Sequence, residues 1–95
     1  MIKIGTIEKR IKEVEEIDIS FVKNGVDMRS DARIEAENYK YERKLKNAAS
    51  VSQLKKRLKG QYPGFDFNIK EANGTIVKSG HKHLGTVRDT YIDEE

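Results

Sequence analysis

The residues in this chain best suited to chemistry are bases with tyrosines set among them. Lys40, Arg43, Lys44, Lys46, Lys55, Lys56, Arg57 and Lys59 fall within one stretch of twenty positions that holds a single acid, Glu42, and Tyr39, Tyr41 and Tyr62 lie in or beside it. Lysine and arginine neutralise phosphates and release their counterions, and tyrosine stacks on unpaired bases. The combination points to RNA or DNA as partner. The formal net charge of the whole chain is only +3, so a stretch this basic leaves the remainder net negative and marks the middle as the place for a polyanion to dock.

Other groups offer less. His81 and His83 are two apart and would share one side of a strand, but no cysteine exists in the chain, and Glu71 and Asp89 are the nearest carboxylates, so a metal set is not apparent. Exposed loop histidines are the expectation. A single histidine has the ordinary pKa of a general base for RNA cleavage, which makes this pair the one catalytic option. Asp27, Asp31 and Glu35 follow at four-residue steps, without the glycine pattern of a calcium loop. Gly60 and Gly64 near Lys59 do not form a phosphate loop, because the order and the following element are wrong. No metal or other cofactor is expected, and a non-enzymatic role is favoured.

The elements that must carry these residues can be read in order. The chain of 95 residues, 36% hydrophobic and 37% charged, suits one small domain with a modest core. Met1 to Gly5 can form a short edge strand. Thr6 can cap a helix over about Ile7–Glu16, with Ile7, Ile11 and Val14 on one face. Adding Ile4 makes two heptads, which raises the option of a homodimer, but coiled coils need a longer repeat and packing onto the chain's own sheet is favoured. Ile17, Ile19 and Phe21 alternate as a half-buried strand, and Asn24-Gly25 favours a two-residue turn into Val26–Met28, with a left-handed helix stop as the competing reading.

From Ser30 to Ala49 there is neither proline nor glycine, and alanine, glutamate, lysine and arginine dominate. This predicts a helix, though its apolar stripe (Ile34, Tyr41, Leu45, Ala48) is thin. Ser50 and Gln53 have capping-box spacing, so a second helix starts there, burying Val51, Leu54 and Leu58 and ending at Gly60. Phe65, Phe67 and Ile69 alternate toward Asn73-Gly74, predicting a 65–78 hairpin that pairs Glu71 with Ile76 and shares a core face with Ile76. Leu84, Val87 and Tyr91 fit a helix face, with Thr86 and Asp89 as a possible cap, although the stretch also suits a strand. Asp93 to Glu95 should fray.

The expected fold is therefore α+β: a single domain over 1–95 with helices on one face of a short antiparallel sheet containing the 65–78 hairpin. Residues 1–29 supply a helix and short strands, 30–59 two helices, and 60–92 the hairpin and the final helix or strand. The run from Ser50 to Ile92, with Gln53-Leu-Lys-Lys-Arg-Leu58 and Gly80-His-Lys-His-Leu-Gly-Thr-Val-Arg88, loosely resembles the HicA type of RNA-cleaving toxin, a small family folded like a double-stranded-RNA-binding domain. That family's Gly-Ser-His between early strands is missing and the match begins only at Ser50, so no residue role is taken over.

No apolar run is long enough to span a membrane and Met1 to Arg10 lacks the apolar core of a signal peptide, so a cytoplasmic protein is expected. The favoured function is that of a small accessory protein binding RNA or DNA through its basic helical segment. The alternative is a protein-binding inhibitor or adaptor of the kind phages and mobile elements encode, acting through the charged helix from Ser30 to Ala49.

Overall fold

The computed structural model describes residues 1–92, and the expectation for Asp93 to Glu95 lies outside them. In chain order the elements are β1 (Ile2–Lys3), α1 (Ile4–Glu15), β2 (Asp18–Lys23), β3 (Val26–Asp27), β4 (Arg33–Ile34), α2 (Val51–Gln61), β5 (Asp66–Lys70) and α3 (Leu84–Asp89). The fold is α+β, as the patterning predicts. An antiparallel sheet ordered β3-β2-β5 carries the core, and β1 pairs with β4 apart from it.

Helix α1 starts three residues earlier than its pattern suggests, and Thr6 does not cap it. The orphan N–H groups of Ile4 and Gly5 donate instead to the carbonyls of Ala32 and Ser30, each at 2.8 Å, so main-chain acceptors replace a capping side chain. Gly5 permits this approach, since a Cβ there would stand 3.0 Å from both the Cβ and the carbonyl oxygen of Ser30. Ile4, Ile7, Ile11 and Val14 are all buried within the one chain, in the same core as Ile17, Ile19 and Phe21.

The two Asn-Gly turns behave differently. Asn24 and Gly25 have φ of 54° and 77°, so the first is a two-residue turn that pairs Lys23 with Val26 as predicted. At the second, Gly74 has φ 88° but Asn73 is not in the left-handed region. The Gly74 N–H donates to the Glu71 carbonyl and the Glu71 N–H to the Thr75 carbonyl, both at 2.9 Å. That is a three-residue loop with glycine at its single left-handed position.

The extra residue moves the return arm by one, so Lys70 rather than Glu71 faces Ile76. Because side chains alternate along extended chain, the slip exchanges inside for outside: Val77 is 5% exposed and Ile76, predicted to be core, is 39% exposed. The return arm adds one bridge and no full strand; the ladder partner of β5 is β2, with Ile19 opposite Ile69 and Phe21 opposite Phe67.

The largest departure is Ser30 to Ala49, which forms no helix. After β4 the chain runs without regular structure to the cap of α2. Its burial has a period of two, with Ala32, Ile34 and Ala36 turned inward and then Tyr39 and Tyr41. Side chains from elsewhere occupy its backbone groups: Lys40 N–H donates to Gln61 Oε1 at 3.1 Å, Gln61 Nε2 to the Asn38 carbonyl at 2.8 Å, and the Tyr62 hydroxyl to the Glu37 carbonyl at 2.8 Å. Helices in proteins owe most of their stability to packing an amphipathic face, which this thin stripe does not supply, and good helix formers differ by well under about 1 kcal/mol per residue. Burying a large side chain contributes roughly 1.5–3 kcal/mol, so docking Tyr39 outweighs local preference. The helical contact surface assumed for a protein-binding inhibitor is therefore not formed.

Helix α2 follows its sequence signals closely. Ser50 N–H donates to Gln53 Oε1 at 2.8 Å and Gln53 N–H to Ser50 Oγ at 3.2 Å, completing the capping box. The helix runs through Gly60 to Gln61 and ends at Tyr62. Residues 84–89 are helical rather than extended, and Thr86 lies inside α3 with His83 at the cap position. The two helix starts cap each other: Val51 and Ser52 donate to the carbonyls of Lys82 and Gly80, while Leu84 and Gly85 donate to those of Ala49 and Asn47. Beyond α3, the Tyr91 hydroxyl accepts from Asp18 N–H at 3.0 Å and donates to the Lys70 carbonyl, tying α3 to the end of the β2–β5 ladder.

Candidate nucleic-acid interface

The geometry of the basic surface starts from a buried acid. Glu15, at the end of α1, is 0% exposed. Its Oε2 accepts from the Tyr39 hydroxyl and from Arg57 Nη1, both at 2.6 Å, and its Oε1 from Leu45 N–H at 3.0 Å and Arg88 Nη2 at 3.5 Å. Arg88 Nε also donates to the Glu15 carbonyl at 2.9 Å. One carboxylate thus holds α1, the 35–49 segment, α2 and α3 together. Burial lowers the Arg88 guanidinium from its ordinary pKa while Glu15 and Glu16 oppose that shift; burial, then the Glu15 carboxylate, raises the Tyr39 hydroxyl. The available signal was position: Glu15 falls four residues after Ile11, inside the apolar stripe of α1.

This hub decides which bases are free. Arg57 is committed to Glu15, donates to the Arg43 carbonyl at 2.9 Å, and lies 3.9 Å from the centroid of the Tyr41 ring. Lys44 is paired with Glu16 at 3.1 Å and Lys59 with Asp66 at 3.1 Å, where the ammonium holds the Asp66 carboxyl below its usual range. Exposed pairs of this kind contribute only about 0–1 kcal/mol, so phosphate competes for both lysines. Lys40, Arg43, Lys46, Lys55 and Lys56 are in no ion pair among the described residues.

The contacts of α2 also order these bases in space. Gln61 meets residues 38 and 40, Arg57 meets residue 43, and Gln53 lines a shallow depression with Lys44, Lys46 and Ala49. The 38–46 segment therefore runs back along α2, antiparallel to it. With Val51, Leu54 and Leu58 turned inward, a helical repeat of 3.6 residues points Lys56 outward, with Lys55 and Lys59 on the flank away from that segment. Lys40, Arg43 and Lys46 form a second row on the other flank, all exposed, with Glu42 the acid among them.

Two of the three tyrosines are withdrawn from that surface. Tyr39 and Tyr62 are 3% and 2% exposed, and the Tyr62 ring packs edge-on against Phe21 with centroids 5.2 Å apart. Tyr41 is half-buried between Tyr39 and Arg57.

The remaining candidates are dispersed. His81 and His83 are exposed in the loop that closes over the start of α2. Asp27 sits in β3 with Asn68 and Lys70, Asp31 pairs with Arg29 at 3.1 Å, and Glu35 is exposed. Among the described residues no group of three histidines or carboxylates is placed to hold a metal ion, and no helix is long and apolar enough to cross a membrane. Glu8 has a structural task. Its carboxylate accepts the Phe21 N–H at 3.0 Å where β3 stops short, and burial there raises its pKa.

The run from Ser50 to Ile92, likened above to an RNA-cleaving toxin, supplies one strand, β5, whose ladder partner lies outside the run. Comparison with protein-family models, with curated proteins and with solved structures finds no match to this chain.

Proposed function

We propose that this chain binds RNA or DNA non-specifically by neutralising backbone phosphates along α2 and the 38–46 segment beside it. The observation that supports this reading is the gathering of Lys40, Arg43, Lys46, Lys55 and Lys56, free of ion pairs among the described residues, on either side of one ridge. Charge of this kind positions a polyanion without reading its bases. No residue is assigned a catalytic role.

The test replaces Lys46, Lys55 and Lys56 together by serine. Arg57 is left alone, because its loss would strand Glu15. Each phosphate contact contributes about 0.9 to the slope of log affinity against log salt, so the triple variant should lose roughly 2.7 of that slope on duplex DNA, together with most of its low-salt affinity. Circular dichroism should be unchanged. Binding equal to the parent, measured by fluorescence anisotropy over a salt series, overturns the proposal.

A further inference from the structure

We infer that the nucleic acid taken by this surface is a double helix rather than a single strand, an inference that rests on the phosphate-binding reading above. Proteins that hold single strands without sequence preference combine a basic groove with aromatic side chains on which successive bases stack. On this face the aromatic rings are largely withdrawn from solvent. Tyr39 and Tyr62 are buried, Tyr41 and Phe65 are half-buried, and Tyr41 already has Arg57 against its ring at 3.9 Å.

The bases also stand in two rows, Lys55, Lys56 and Lys59 on α2 and Lys40, Arg43 and Lys46 on the extended segment. Between them runs the ridge of Gln53, Arg57 and Gln61. A duplex presents two phosphate rows across a groove, about 6 Å wide for the minor and 12 Å for the major groove of B-DNA, whereas a single strand presents one. The ridge side chains are largely engaged within the protein. Gln53 is engaged with Ser50, Gln61 with residues 38 and 40, and Arg57 with Glu15.

The experiment measures anisotropy, at one low salt concentration, with a mixed-sequence DNA duplex, an RNA duplex and the separated single strands at equal nucleotide concentration. The expected result is a duplex of either kind held about tenfold or more tightly than its single strands. Two further variants test the rows: Lys40→Ser with Lys46→Ser, and Lys55→Ser with Lys56→Ser. Either pair should remove most of the preference for duplex. Single strands bound as tightly as duplex, or a preference that survives the loss of a row, overturn the inference and leave phosphate binding standing. No binding to any of the four probes overturns the phosphate-binding reading itself.

Discussion

Replacing Glu15 by alanine is expected to destabilise the protein by about 3–5 kcal/mol, the range found when one partner of a buried ion pair is removed. Native domains have only about 5–15 kcal/mol in total. The cost arises from the groups left behind. Arg88, 7% exposed, would retain a buried charge held by Asn47 at 2.8 Å but lacking its counter-ion. The Tyr39 hydroxyl would lose its acceptor, and Leu45 N–H its partner. Glu15→Gln keeps an acceptor oxygen but not the charge, so its loss should be intermediate. Urea unfolding followed by circular dichroism measures both variants, and a loss below about 1 kcal/mol for alanine would show that the network is not held against water as its burial implies.

Leu54→Ala should cost about 2–5 kcal/mol, the transfer of the lost atoms plus the cavity they leave. Leu54 is 0% exposed on the face of α2 that joins the core. The patterning alone assigns it to a core of the C-terminal half with Phe65, Phe67 and Ile69. In the folded chain it belongs to one cluster that also holds Ile4, Ile7, Ile11, Phe21 and Tyr39. The whole domain should therefore unfold in a single weakened transition. Tyrosine near-ultraviolet dichroism and far-ultraviolet dichroism should give the same midpoint. Separate midpoints would mean that the two halves have independent cores.

The features legible from the sequence are those whose cause is local. The Ser50–Gln53 box, the Asn24-Gly25 turn and the alternation of Phe67 with Ile69 each depend on neighbouring residues, and each appears where expected, whereas β2, patterned as half-buried, is buried on both faces from Ile19 to Val22. The 35–49 segment fails for the converse reason: its acceptors and donors are Glu15, Arg57 and Gln61, distant in sequence, and composition reports only what a segment does alone. A period of two was nevertheless present leading into it, in Ala32, Ile34 and Ala36. The candidate surface was legible as charge but not as availability. Nothing in Lys55-Lys56-Arg57 distinguishes the base that would be taken into an internal pair from the two that remain outside.

The reciprocal capping of α2 and α3 has a bearing on how the chain opens. First-turn amides usually exchange rapidly with solvent hydrogen because nothing holds them. Here the amides of Val51, Ser52, Leu84 and Gly85 are held by carbonyls on the opposite strand of chain, and separating either helix start from its neighbour frees both sets. These four amides should be protected together and exchange with one opening free energy, a cooperative unit made from two stretches that share no element. Folding acquires an order for the same reason, since neither helix gains its full N-terminal hydrogen bonding until the loop through Gly80 has closed against Asn47 to Ser52.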